Sequence, residues 1–264
     1  MQLARPQSGP TFFSPRATIH PPMAALRIAT FNVLCGYPFG PRVWSEQQSL
    51  LRRSIKAARP DVVGLQELLP SNLADIANLV APLTLVPGPS TGPTRWFGVG
   101  ASSERNQGGE YLPIAYQEDR FELRDSGGFW ISATPARRGS MLPLARTPFL
   151  VHWARLAPRD RSGSLLVMNA HFGRTPWHHA PTAQVVSELL VALEAASPER
   201  CATRFGLTLD YVVARTPSRP ARAELSDAHN GGLYPSDHHL LVLKFVPDRS
   251  PGCASDRHVR RTPR

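Results

Sequence analysis

The order of elements legible in the chain predicts a mixed α/β (α+β) sandwich: two packed β-sheets flanked by helices, four layers in all. Three observations carry this. Strand-like runs follow one another with few helices between them, which suits two sheets packed face to face better than a doubly wound parallel sheet. The 264 residues with 42% apolar content suffice to bury one large core. Polar residues that could do chemistry stand at the ends of the apolar runs rather than within them.

Residues 1–25 hold many prolines and read as a structureless Pro/Arg-rich leader. Leu26 to Leu34 reads as a strand by its β-branched and aromatic content. Ser45 to Ala58 reads as a helix, with Leu50, Leu51, Ile55 and Ala58 at helical spacing and Pro60 ending it. Asp61 to Glu67 is a short apolar strand, and Ser71 opens a helix through Val80. Residues 87–109 are rich in Gly, Pro and Ser and predict a long loop.

Tyr111 to Gln117, Phe121 to Leu123 and Gly128 to Ser132 are three further strand candidates. Phe149 to Leu156 and Leu165 to Phe172 predict a hairpin. Thr182 to Ala196 predicts an amphipathic helix with Val185, Val186, Leu189, Leu190 and Leu193 on one face. Leu207 to Ala214 and Leu240 to Val246 are the last strand candidates, and 247–264 reads as a disordered basic tail. One domain over 26–246 is expected, and a monomer.

The net charge is +10, and all the cations are arginine except Lys56 and Lys244. Part of that charge sits in the two ends. Such a surface favours polyanions through counterion release, without choosing nucleic acid over a phosphoinositide. No apolar run of 18 residues exists, so no membrane span is expected. The leader lacks an apolar signal core, which predicts an intracellular, cytoplasmic protein; its arginines without acids also fit organelle targeting. Cys35, Cys201 and Cys253 form no CxxC pair and indicate neither a disulfide framework nor a zinc site.

Asn32, Glu67, His171, Asp210 and the pair Asp237–His238 stand at strand ends, where polar groups can converge on a cleft. Carboxylates and an amide oxygen are hard ligands suited to Mg²⁺ or Mn²⁺. Two histidines could transfer protons. Each residue also has an ordinary reading: Asn32 as a turn former, Glu67 as a helix cap, His171 as a structural histidine, Asp237 as an Asx turn.

Taken together these segments resemble a known family. Ile28-Ala-Thr-Phe-Asn32 followed by Pro60-Asp-Val-Val-Gly-Leu-Gln-Glu67 is similar to the opening of the endonuclease/exonuclease/phosphatase (DNase I-like) superfamily. Gly109-Glu-Tyr-Leu-Pro-Ile-Ala-Tyr116, Phe129-Trp-Ile-Ser132, Trp153-Ala-Arg-Leu156, Asn169-Ala-His-Phe172, Leu209-Asp-Tyr-Val212 and Tyr234-Pro-Ser-Asp-His238 resemble its later blocks, in the right order. The resemblance implies a DNase I-like sandwich and a Mg²⁺- or Mn²⁺-dependent hydrolase of phosphodiesters or phosphomonoesters, acting by in-line attack of water. It implies that Asn32, Glu67 and Asp237 surround the cation, that His238 is oriented by Asp210, and that His171 is paired with Glu110. Tyr116 could touch the phosphate or be a core aromatic. Asn32, Glu67, Asp210, Asp237 and His238 are therefore expected in one cleft.

One block of the family is missing. A Gly-Asp-Phe-Asn strand normally lies between the His171 and Asp210 blocks, yet Gly173 to Leu209 contains no aspartate. The groups lost position the nucleophile, so activity is expected to fall by several powers of ten. The alternative function is an inactive relative that binds phosphate-bearing ligands, nucleic acid or phosphoinositide. His178 and His179 are adjacent and point apart on regular structure, so they do not suggest a shared metal.

Overall fold

A computed structural model describes residues 25–34, 41–93, 108–143, 145, 147–160, 163–171, 199–202, 208–212, 218–226, 235–236 and 238–247. Strand β1 (Leu26–Asn32) is followed by helix α1 (Pro41–Ala58) and strand β2 (Val62–Gln66). β1 and β2 pair in parallel, Ile28 with Val62 through Asn32 with Gln66. A parallel pair needs a crossover, and α1 supplies it. Leu50, Leu51, Ile55 and Ala58 are all buried, as their spacing predicts. Arg59 leaves the helix at φ 44, and Pro60 after it cannot continue the helix.

A 3-10 turn (Pro70–Asn72) leads into α2 (Leu73–Val80), then β3 (Thr84–Val86) and β4 (Ile114–Tyr116). With β10 (Ser218–Ser226) and β11 (Leu240–Pro247) they complete a six-stranded sheet in the order β10-β11-β1-β2-β4-β3. All five residues of β2 are buried, which befits a central strand covered on both faces.

The second sheet is antiparallel: β5 (Phe121–Trp130), β6 (Leu150–Pro158) and β7 (Leu165–Ala170). The β6–β7 hairpin matches the expectation apart from its ends. β5 does not. Two short strands were expected, and one ten-residue strand forms, with a register shift between Leu123 and Asp125. The polar stretch Arg124–Ser126 is exposed, so it breaks the apolar signal without breaking the pairing to β6. β8 (Glu199–Ala202) and β9 (Thr208–Val212) form a two-stranded sheet, and β9 lies against β1 and β11.

β3, β8 and β10 form where the sequence predicts no strand. β10 carries Arg219, Arg222, Glu224 and Pro220, and edge strands are where charge and proline are tolerated. A register shift at Pro220–Arg222 accommodates the proline, and Glu224 reaches across to Arg27 Nη2 at 2.8 Å.

The apolar residues divide between two layers. Val62, Ile114, Phe121, Leu156, Val167 and Leu243 pack between the sheets. Phe31, Leu65, Leu51, Ile55, Ile76 and Leu79 pack between the first sheet and the helices. Among the described residues no helix is long and apolar enough to cross a membrane. The leader before Ala25, the tail beyond Pro247, the expected helix Thr182–Ala196, His178 and His179, and residues 94–107 of the expected loop lie outside the described residues.

Two buried polar side chains tie the sheets together. Asn169 on β7 donates from Nδ2 to the carbonyls of Leu65 (2.8 Å), Leu112 (3.0 Å) and Pro113 (3.0 Å), and its Oδ1 accepts from Gln66 Nε2 at 2.6 Å. Only glycine fits beneath it, since a Cβ on Gly64 would lie 2.8 Å from the Asn169 carboxamide. His152 on β6 is fully buried, and its Nδ1 lies 2.7 Å from the Leu112 carbonyl. A carbonyl only accepts, so the proton sits on Nδ1, and Nε2 is buried with no hydrogen-bond partner.

Burial pushes the His152 pKa below the ordinary histidine value. The unfolded chain then binds its proton more readily, so this contribution to stability is complete above about pH 6.5 and is lost as pH falls below it. The limiting slope is about 1.4 kcal/mol per pH unit. His152→Gln is expected to remove that part of the pH dependence. Urea melts of both proteins between pH 7.5 and 5 check this, and parallel curves would contradict it.

Candidate active site

The C-terminal ends of β1 and β2 lie together because the strands are parallel. Asn32 ends β1, and Glu67 follows β2. β7 crosses above β2 through Asn169, which brings His171 to the same end of the sandwich. Glu110 arrives from the segment preceding β4. Asn32, Glu67 and Glu110 are buried at 1%, 4% and 6% relative exposure, whereas 30% of the His171 side chain is exposed.

His171 stands between the two carboxylates. Its Nε2 is 3.3 Å from Glu67 Oε1, and its Nδ1 is 3.4 Å from Glu110 Oε2. An imidazolium can donate to both; a neutral ring can donate to one only. Asn32 Nδ2 donates to Glu67 Oε1 at 2.9 Å and lies 3.5 Å from His171 Nε2. The Asn32 Oδ1 accepts from the Leu34 N–H at 3.1 Å.

Glu67 has φ 61, left-handed backbone that a non-glycine residue adopts at a cost of roughly 1–2 kcal/mol. The next residue fixes it there: Tyr111 N donates to the Leu68 carbonyl at 2.7 Å. The positive φ breaks the strand's alternation and is the clearest sign of strain in the cluster. Glu110 is fixed through its backbone. Its N–H donates to Thr91 Oγ1 (2.9 Å), and its carbonyl accepts from Thr91 N (2.7 Å). Gly109, at φ +74, precedes it, and a Cβ there would overlap the Gly92 carbonyl oxygen. Trp130 Nε1 donates to the Thr91 carbonyl at 2.6 Å and pins this segment to the second sheet.

His238 is buried, and its backbone N–H donates to Ser236 Oγ at 3.1 Å. The pairing of Thr30 with Leu241, continued by two residues, brings position 239 level with Asn32, so His238 arrives at the same sheet end. Asp210 lies on β9, opposite Cys201; its side chain and the whole of Asp237 lie outside the described residues. Tyr116 lies elsewhere. It pairs with Val62, four residues before Gln66, about 13 Å down the strand from this end. It packs in the inter-sheet core, where burial pushes its phenol pKa up.

Asn169 and Thr91 are not among the site residues that the sequence predicts. A polar residue at the inward position after Val167 was the available signal for Asn169, because a buried carboxamide demands partners. Nothing in the composition of 87–109 marks Thr91.

Among the described residues no group of three or more His, Cys, Asp and Glu side chains is arranged to hold a metal ion. The donor chemistry nonetheless suits a small hard cation: the buried Glu67 carboxylate stands beside the Asn32 carboxamide, and both offer oxygen.

The model of the Endonuclease/Exonuclease/phosphatase family matches residues 29–200. Among curated proteins none matches the chain. Several solved structures share the fold. An endonuclease/exonuclease/phosphatase from Bacteroides vulgatus superposes with a TM-score of 0.68 at 16% identity, covering 86% of this chain and 100% of its own. A mannosyl-6-phosphatase from Bacteroides thetaiotaomicron gives 0.64 at 16% identity, with 84% and 99% covered. TDP2 of D. rerio, complexed with a single-strand DNA product, gives 0.62 at 14% identity, with 84% and 99% covered.

Proposed function

The chain belongs to the endonuclease/exonuclease/phosphatase family, and on that premise we propose that it hydrolyses a phosphate ester, with Mg²⁺ or Mn²⁺, at the Asn32–Glu67–Glu110–His171 cluster. The observation that carries this is His171: a solvent-reachable imidazole held between two buried carboxylates, at the strand ends where the family's motifs fall.

Glu67, with Asn32 and Asp237, would hold the cation. When bound, the cation would neutralise phosphate charge and stabilise the leaving oxygen. His171 is the exposed member of the four, so it is the group that meets a phosphate oxygen, as hydrogen-bond donor or proton source. Glu110 orients its Nδ1 and keeps the ring from turning. Asn32 supports Glu67 through its Nδ2 donor. Asp210 would orient His238 for a second contact to the phosphate or to water. The substrate is a phosphodiester or phosphomonoester, including nucleic acid and phosphoinositide.

A second reading is a phosphate-binding relative without turnover. The interval Gly173 to Leu209, which holds no aspartate to position the nucleophile, favours it. One assay separates the two: a phosphomonoester, a phosphodiester, a phosphoinositide and an oligonucleotide, each with Mg²⁺ and with chelator. Turnover of at least one, lost on chelation, is expected. Binding that survives chelation, weakens steeply with salt and never yields product would establish the second reading.

A further inference from the structure

The loop between β5 and β6 carries two arginines among its described residues, Arg137 and Arg138, that the cluster does not use. Trp130 pairs with Leu150, and Val151 pairs with Ala170, so this loop leaves the second sheet at the same end as His171. Its two ends leave β6 and β5, one and two strand spacings, or roughly 5 and 10 Å, from the strand that leads to His171.

The loop is firmly built. Arg137 N donates to the Thr134 carbonyl and Ser140 N to the Arg137 carbonyl, both at 3.0 Å, while Ser132 Oγ donates to Ser140 Oγ at 2.7 Å. It is also seated against the segment that holds Glu110. A Cβ on Gly92 would lie 2.9 Å from the Gly139 Cα, so the two backbones touch where no side chain fits.

Arg137 and Arg138 are exposed, and the stretch 131–143 contains no acid. A surface arginine ordinarily roams, but the Arg138 Nη2 donates to the buried Ser90 Oγ at 2.7 Å. That anchor uses one of five N–H donors, and no carboxylate pairs with the guanidinium among the described residues. An oriented guanidinium with free donors at a cleft rim is suited to grip a phosphate with two parallel hydrogen bonds.

We propose that Arg138, tethered by Ser90 and reinforced by Arg137, is an anion subsite that binds a second phosphate of the substrate, about 10 Å from the one engaged at His171. It rests on the phosphate-ester reading above and narrows it: substrates with two phosphates are preferred over those with one.

Non-hydrolysable probes test it in the presence of Mg²⁺. Hexane-1,6-bisphosphonate presents two groups at about the required separation, and hexylphosphonate presents one. The wild-type protein is expected to bind the bisphosphonate at least ten-fold more tightly by calorimetry. Arg138→Gln, a surface change that spares the core, is expected to erase that preference and leave the hexylphosphonate affinity unchanged. Ser90→Ala is expected to reduce the preference about three-fold. Phosphorothioate-linked tetrathymidylate, which resists hydrolysis, distinguishes sources in the same titrations: weakening by Arg138→Gln assigns the second phosphate to a nucleic-acid strand, and its absence beside a bisphosphonate effect assigns it to a small molecule. If hexylphosphonate binds and Arg138→Gln changes neither ratio, the subsite is wrong and the central site stands. If neither phosphonate binds the wild type, both fail.

Discussion

Glu67→Gly is expected to yield a protein that melts higher than the wild type and turns over nothing measurable. The two effects have one origin. Glu67 sits at φ 61, where a side chain costs roughly 1–2 kcal/mol, and glycine removes that cost while giving back roughly 0.5–1 kcal/mol in chain entropy. Relief from burying the carboxylate offsets the loss of its hydrogen bond from Asn32 Nδ2, so a net gain of about 1 kcal/mol is expected, a rise of roughly 2–4 °C for a domain of this size. The same change deletes the carboxylate that accepts from Asn32 and faces His171. Removing a charge-stabilising group of this kind costs two to three powers of ten or more in rate. Calorimetric melts paired with turnover of the best substrate check it. A lower melting temperature would show that the left-handed turn depends on the carboxylate's own contacts. Unchanged turnover would remove Glu67 from the site.

The largest loss of stability is expected from Asn169→Ala. Its carboxamide serves three carbonyls and accepts from Gln66, all within the interface of the two sheets. Alanine removes all four hydrogen bonds. The Leu112 and Pro113 carbonyls keep His152 Nδ1 and the Leu65 N–H, and Gln66 Nε2 keeps Thr30 Oγ1, so each loss costs roughly 1–1.5 kcal/mol rather than a full desolvation penalty. Relaxation recovers part of it, so about 3–5 kcal/mol is expected. That corresponds to a fall of roughly 10 °C or more in melting temperature. Leucine, similar in volume, is expected to fare no better, because the loss is polar rather than steric. Turnover should fall as well, since Asn169 fixes the strand that ends at His171. Melts of both variants decide: a loss under about 2 °C would mean that the sheets are held by apolar packing alone.

Much of this arrangement is legible in the residues. β1, β2, α1 and the β6–β7 hairpin follow from apolar periodicity, because each buries one clear face. β10 was not, because an edge strand carrying Pro220, Arg219, Arg222 and Glu224 has the composition of a loop. β5 was cut in two because its exposed middle is polar, while its register is set by β6. The residue types of the cluster could be picked out because Asn32, Glu67 and His171 end apolar runs. Their mutual geometry could not, since it depends on a left-handed turn at Glu67 and on Thr91, a residue whose local sequence resembles any polar loop. Tyr116 shows the converse: its motif left a phosphate contact and a core aromatic both open, and its register puts it in the core.

The proposed function has Glu67 and a divalent cation acting at one site on a phosphate ester. Turnover of one phosphodiester by the wild type and by Glu67→Ala, each with Mg²⁺ and with chelator, tests it most directly. The wild type is expected to lose its turnover on chelation, and Glu67→Ala to show the chelated rate under both conditions. A Glu67→Ala protein that still responds to Mg²⁺ as the wild type does would contradict it.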